Sequence, residues 1–225
     1  MQQQQNQMAT RLLDVIQARH SVKGFDPDVK IPRADMEEML RLAMLAPSSI
    51  NLQPWRFVVV ESEAAKAKLN GLLMFNQHQL DTASAMILAL SDMQHFDYGE
   101  TIQRQNVAAG YMPEAVKQNN LAFMQRWQRH LGEQGIREQG IMDVNLAVMQ
   151  LMLVAKAFGY DSNAIGGFER RQVLDALGLD RNRYVPVMFL AIGKAAKPPR
   201  LSSRLPLAYT VSWNDGQSFA HPSEG

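Results

Sequence analysis

The fold of this chain turns on residues 46–60, APSSINLQPWRFVVV. Just before them, Met36, Met39, Leu40 and Ala43 recur at helical spacing, and Pro32 and Asp35 open that helix. Pro47 stops it, because proline has no N–H to continue the ladder. Just after, Phe57-Val58-Val59-Val60 is a short β-branched run that reads as a buried strand. Between the two, Ser48, Ser49, Asn51 and Gln53 supply both donors and acceptors. Such a set suits the edge of a heterocycle that carries carbonyls and ring nitrogens. A plain helix-to-strand connection, with the same groups satisfying the local backbone, is the alternative. Trp55 reads as core.

Outward from this stretch the elements alternate without a strict strand–helix–strand rhythm. Leu12, Leu13 and Ile16 lie on one face of a helix over residues 10–20, whose basic end complements the helix dipole. Residues 21–28 are loop, punctuated by Gly24 and Pro27. Ser62 is an N-cap with Glu63 in the first turn, and Ala85 to Leu90 is a second apolar strand. Residues 92–142 are polar and rich in Gln and Arg, and read as one or two exposed helices with loops. Asp143 to Phe158 is apolar nearly all round, the mark of a helix buried in a core or an interface, with Gly159 as its C-cap. Residues 163–168 form a short strand and glycine turn, 169–177 a short helix, and Tyr184 to Ile192 a further strand. The Pro- and Ser-rich tail from Lys194 is long enough that it should pack on something. Few strands and several helices indicate an α+β layered domain. Residues 9–225 read as one domain behind a disordered tail at 1–8.

Composition excludes several classes. Among 225 residues, 23 are basic and 22 acidic, so no basic stripe points to nucleic acid. There is no cysteine, hence no disulfide, thiolate metal site or cysteine nucleophile. No uncharged apolar run reaches the ~18 residues that a membrane span needs, and the N-terminus lacks the regions of a secretory signal. No GxGxxG fingerprint is present. A cytoplasmic enzyme is the expectation, with no metal, membrane or nucleic-acid partner.

Three further segments place polar groups or glycines beside core elements. Arg19, Ser21 and Lys23 alternate, so in an extended chain they point one way. A guanidinium fork and an ammonium suit a phosphate, although a solvated basic helix end is the plainer reading. His20 beside them reads first as a structural hydrogen-bonder. Gly166 and Gly167 allow a backbone to approach a flat ligand, or simply form a tight turn. Arg204 stands in the tail.

Taken together, these segments resemble the FMN-dependent nitroreductases. The resemblance runs from about residue 12 to about residue 212 and is weakest in the middle third. It is carried by RHSVKGFD (19–26), APSSINLQPWRFVVV (46–60), FNQHQ (75–79), NLAVMQLMLVAKAFGYD (145–161), AIGGF (164–168), RYVPVMFLAIGKAAKP (183–198) and SRLPL (203–207).

The resemblance implies a mixed sheet flanked by helices in α/β/α layers, within an intertwined homodimer whose C-terminal segments wrap the partner. It implies that Arg19, His20, Ser21 and Lys23 contact FMN from one chain, with Arg19 toward the phosphate or ribityl side and Lys23 near the pyrimidine edge. Pro47, Ser48, Ser49, Asn51 and, less firmly, Gln53 would come from the partner. Asn76 would meet the flavin, Ile165, Gly166 and Gly167 would lie against its ring, and Arg204 would hold its phosphate. NAD(P)H would pass hydride to flavin N5, and a nitroaromatic or quinone-type acceptor would take it in a second, ping-pong step. The chemistry would lie on the flavin, so no catalytic side chain is expected. Phe123 and Trp127, within an aromatic stretch at 96–130, would line the substrate pocket, with core packing as the alternative. Two departures stand out. Some branches carry Glu-Gly in place of Gly166-Gly167 and a Lys in place of Ser202, which removes a carboxylate near N5 and a phosphate partner. The alternatives are a flavin reductase or related reductase with another natural substrate, or a non-catalytic flavin-binding protein.

Overall fold

A computed structural model describes residues 12–217, 219 and 220; the tail expected at 1–8 lies outside the described residues. Four strands form one sheet in the order β1-β2-β4-β3: β1 (Trp55–Val60), β2 (Ala85–Asp92), β3 (Asp161–Ile165) and β4 (Tyr184–Gly193). Neighbouring strands are antiparallel throughout. The parallel component of the mixed sheet is a single bridge, Ser21 to Ser162, beside β3.

Strand alternation sorts the apolar residues to two faces. Ala85, Ile87 and Ala89 of β2, with Leu190 and Ile192 of β4, face one core. Met86, Leu88 and Leu90, with Phe189 and Ala191, face the other. The first core is completed by α2 (Arg33–Ala43), through Met36 and Met39, and by the long helix α6 (Glu114–Ala157), through Val144, Val148 and Leu151. The second is closed by Leu69 and Leu73, by Leu80 of α4 (Gln77–Thr82), and by Val173 and Leu174 of α7 (Arg170–Ala176). Helices therefore cover both faces, the α/β/α layering expected. The remaining helices are α1 (Leu12–Ala18), α3 (Glu63–Ala67) and α5 (Gly99–Ala108). Ser62 caps α3 as its sequence indicates, accepting from the Ala65 N–H.

Two expectations need correction. The strand at 57–60 is not buried outright; β1 is an edge strand, so Phe57, Val58 and Val59 are only half-buried. Residues 114–157 form one helical stretch kinked at Gly132, and the helix expected from Asp143 is only the C-terminal part of it. Gly132, with φ 60° and ψ −174°, breaks the two halves apart, a conformation that glycine adopts without steric cost. The sequence hid this continuity because positions 133–142, EQGIREQGIM, carry two glycines and no helical apolar period. The second half is buried in part by its own chain, Met142 being 61% and Leu146 48% exposed. By length and mean hydropathy α6 could cross a membrane, though charged residues interrupt it, and it is the core helix of the sheet. The tail expected to pack on something does so at its start, where Ala195 bridges Phe25 and the Ala196 N–H donates to Gly24 O at 3.2 Å. Leu201, Leu205, Leu207 and Trp213 are all exposed.

A smaller satellite core lies beyond the end of the sheet where β1 enters and β2 leaves. Leu52, Phe96, Met124 and Ile136 form it, with Ile50, Leu121, Trp127 and Leu131 packed around them.

Candidate functional site

The polar loop that leads into β1 is held in an unusual backbone. Ile50 (φ 44°), Asn51 (φ 58°) and Gln53 (φ 48°) all occupy the left-handed region. Each costs about 1–2 kcal/mol for a residue with a Cβ, so the surroundings must impose the shape. Inside the loop, the Asn51 N–H donates to Ser48 O (3.1 Å), Leu52 N–H to Ser49 O (3.1 Å) and Gln53 N–H to Ser48 Oγ (3.0 Å). From outside, Asp143 Oδ2 of α6 accepts the Ser49 N–H at 3.1 Å, and the Arg56 guanidinium donates to Gln53 O at 3.0 Å. Leu52 is buried in the satellite core, while Asn51 is left exposed and Ser48 and Ser49 half-exposed.

Arg56 belongs to a charged cluster at the same end of the sheet. Asp92, fully buried at the end of β2, accepts from Arg183 through Nε (2.9 Å) and Nη2 (2.8 Å). It also pairs with Arg56 Nη2 (3.0 Å) and accepts the Gln94 N–H (3.0 Å). Burial alone would raise the Asp92 pKa. The Arg183 hydrogen bonds, the Gln94 N–H and the Arg56 charge outweigh burial and hold it below the ordinary carboxylate range. Tyr98 receives a hydrogen bond from Arg183 (3.0 Å) and lies under Arg56, 4.6 Å from its ring centre. Hydrogen bonds from Arg56 and Arg183 shift its phenol pKa downward. Asp143 behaves oppositely: burial pushes its carboxyl pKa up, and the Ser49 N–H offsets this only in part.

At the opposite edge of the sheet, β3 gathers two other sequence segments. Val22 is buried and its N–H donates to Ser162 O (3.1 Å), so Ser21 and Lys23 point outward on the same side. This is the alternation their spacing suggests. Arg19 and His20 are half-buried. Beyond Ile165, Asn76 reaches the glycine turn: its Nδ2 donates to Leu73 O (3.1 Å) and, at 3.5 Å, to Gly167 O. Its Oδ1 accepts from Gln79 (2.9 Å). Arg170 braces the turn from the other side, donating to the carbonyls of Pro186 and Gly166. A side chain at Gly166 would meet nothing within 4 Å, so the backbone of this turn is open to an approaching molecule.

The glycine turn and the 47–53 loop leave the sheet at the same end, the one at which β4 begins. They sit on opposite edges of the sheet, with two strands between the ones they flank. The chain therefore brings Ser21, Lys23, Asn76, Ile165, Gly166 and Gly167 to one edge, and Pro47, Ser48, Ser49, Asn51 and Gln53 to the other. It does not bring Arg204 to either: that side chain is exposed and contacts its neighbours Ser202 and Ser203. Phe123 is half-exposed and stacks on Trp127 (ring centres 6.3 Å apart, 8° between planes). Trp127 packs into the satellite core, the alternative weighed for it. No metal-binding cluster occurs among the described residues.

Sequence reasoning missed Arg56, Asp92, Arg183, Tyr98, Asp143 and Arg170. One signal was available: an acidic residue that ends an otherwise apolar strand, as Asp92 ends AMILALSD, must be paired if it is buried.

Comparison with known proteins places this architecture. The model of the nitroreductase family matches residues 16–194. A Bacillus subtilis protein described as a candidate NAD(P)H nitroreductase, YdgI, is 44% identical over 201 residues, covering 89% of this chain and 96% of that protein. The CLA biosynthesis enone reductase of Lactiplantibacillus plantarum is 40% identical over 195 residues, covering 86% and 89%. The crystal structure of a candidate nitroreductase in complex with FMN, from Exiguobacterium sibiricum, superposes with a TM-score of 0.89 at 41% identity, covering 91% of this chain and 98% of that one. With the family model spanning most of the chain and the fold shared to this degree, the chain belongs to the nitroreductase family.

Proposed function

We propose that residues 9–225 form one FMN-binding domain of a cytoplasmic homodimeric oxidoreductase, which takes electrons from NAD(P)H and delivers them to small acceptors of the nitroaromatic or quinone type. The observation that carries this reading is the open glycine turn at Gly166 with the Asn76 amide drawn against it. A flat ring with hydrogen-bonding edges fits such a place, because backbone can approach the ring while an amide meets its edge. An FMN-bound relative at 41% identity supports it.

The division of polar residues between two sheet edges supports a site made by two chains. One copy would bring Arg19, His20, Ser21, Lys23, Asn76, Ile165, Gly166 and Gly167, and a second would bring Pro47, Ser48, Ser49, Asn51 and Gln53. The exposed apolar side of α6, at Met142, Leu146 and Met149, together with the tail at Leu201, Leu205 and Leu207, gives that second copy something to cover. In such a dimer the tail would carry Arg204 to a flavin phosphate, where a guanidinium serves as a two-pronged donor. Bound FMN supplies the two-electron chemistry. The protein's residues bind it, orient it and set the charge around it, with Lys23 as the cation beside the ring. Phe123 stands where a substrate could meet an exposed aromatic face.

A second acceptor class is favoured by one comparison, the relative named as an enone reductase: a carbon–carbon double bond conjugated to a carbonyl. The test is an absorbance spectrum of the purified protein, before and after anaerobic NADPH or NADH. Flavin bands that bleach support the proposal, and turnover of a nitroaromatic, a quinone and an enone then ranks the acceptors. A colourless protein that takes up no added FMN refutes it.

A further inference from the structure

We infer that Asp143 on α6 is a positioning residue for the flavin site: its carboxylate holds the strained segment Ser48–Gln53 in the backbone shape that presents Ser48, Ser49 and Asn51. This rests on the FMN reading above.

The argument starts from the loop's own hydrogen bonds. The N–H groups of Asn51, Leu52 and Gln53 all find acceptors inside the loop. Those bonds would survive if the loop swung away as a unit. The Ser49 N–H is different. It opens the short 3-10 turn Ser49–Asn51, where no upstream carbonyl of the turn can accept it. Its acceptor is Asp143 Oδ2, 94 residues further along the chain, on a helix that packs against the sheet. The rear of the loop is tied separately, by Arg56 to Gln53 O, and Arg56 is fixed in turn by Asp92. Asp143 is therefore the front anchor of a segment with three non-glycine residues in the left-handed region. Released at the front, such a segment relaxes toward ordinary backbone angles, and the hydroxyls and amide move with it.

The energetics of the carboxylate point the same way. Asp143 is buried, and burial outweighs the Ser49 hydrogen bond, so its pKa rises on folding. A carboxyl that binds protons more tightly in the folded state detracts from stability at neutral pH. The carboxylate therefore carries a burial cost that the Ser49 hydrogen bond only partly offsets, and the geometry assigns that bond to holding the shape of the loop.

The test uses the full chain stripped of flavin, titrated with FMN while flavin fluorescence is followed, alongside thermal unfolding of the same flavin-free protein. Asp143→Leu removes the acceptor at similar volume, and Asp143→Asn keeps an acceptor oxygen without charge. Asp143→Leu should weaken FMN binding about tenfold or more, equivalent to ~1.4 kcal/mol, with an unfolding temperature no lower than that of the wild type. Asp143→Asn should stay within about threefold of wild type on that same affinity scale. Wild-type affinity in Asp143→Leu overturns the inference, and so does an equal loss in both variants, since charge and not the hydrogen bond would then matter. If Asp143→Leu does not fold, Asp143→Ser, too short to reach Ser49, takes its place with the same two outcomes. A wild-type protein that binds no FMN overturns the functional reading and the inference together; FMN binding unaffected by the variants overturns the inference alone.

Discussion

Asp92→Asn tests the charged cluster most directly. The wild-type carboxylate is fully buried and takes hydrogen bonds from Arg183 at 2.8 and 2.9 Å and from Gln94 at 3.0 Å, with Arg56 Nη2 at 3.0 Å. Asparagine keeps the volume but offers one oxygen and no charge, so its amide N–H₂ faces a guanidinium. Removing one partner of a buried ion pair costs ~3–5 kcal/mol. The two arginines keep 29% and 27% of their side-chain surface, so water recovers part of the loss and the lower end, about 3 kcal/mol, applies. For a chain of this size that is a fall of about 6–12 °C in Tm. The pH dependence fixes the cause. The Asp92 pKa is lowered on folding, so its contribution is present above the unfolded value of ~3.9 and is lost as pH falls through the lower folded value. Scanning calorimetry should therefore show a constant gap between wild type and variant from about pH 5 to pH 8, closing below about pH 4. A fall under about 2 °C at pH 7, or a gap that closes by pH 6, would refute the reading of Asp92 as the buried hub of an ion pair.

Three further outcomes are expected. His95 is buried, which lowers its pKa against the opposing pull of the Asp92 carbonyl that accepts its Nδ1–H at 2.6 Å. The unfolded chain then protonates first, so stability should decline as pH drops below about 6.5; His95→Asn, which keeps the donor without the titration, should flatten Tm between pH 6.5 and pH 5, and an unchanged slope would assign the effect elsewhere. Arg204→Ala should weaken FMN binding by roughly tenfold to a hundredfold, the equivalent of one charge-assisted hydrogen bond at ~1.5–3 kcal/mol; an unchanged Kd removes Arg204 from the phosphate site. Leu146→Glu places a charge on the exposed apolar side of α6 and should yield a monomer that has lost its flavin bands, read by sedimentation and absorbance; a dimer that keeps its colour would show that this face is not the contact.

The sequence made some parts of this molecule legible and hid others, for physical reasons. The 46–60 stretch could be read because proline, polar loop and valine run each carry a local rule, and helix end, loop and strand follow in that order in the structure, though the strand is only half-buried. The alternation of Ser21 and Lys23 about Val22 could be read for the same reason, whereas Arg19 still belongs to the helix end, its N–H donating to Val15 O. Asn76 and the glycine turn were identified by resemblance, but that they touch is a long-range fact: the two segments are 91 residues apart. Asp143 was invisible because it sits at the start of an apolar run, where a single acid looks like a helix-end residue, and its partner is 94 residues away. Residues 92–142 were read as exposed helices with loops, as found, but the run of the second into the core helix was hidden, because a helix whose outer face is polar and whose inner face meets only a small satellite core shows little period. The exposure of the tail could not be read from the chain alone, because its apolar residues carry no period that separates a packed segment from an exposed one.

That satellite core has a consequence for hydrogen exchange. Leu52, Phe96, Met124 and Ile136 form a cluster far smaller than the two on either side of the sheet, and small clusters open at lower free energy. The first half of α6 should thus exchange its amide protons well before β2 and β4 do. Because Leu52 and Ile50 in that cluster also belong to the strained loop, whatever steadies the loop steadies the helix. Ligand capture would then be recorded as slowed exchange along residues 114–131, on a helix that carries none of the loop's polar groups.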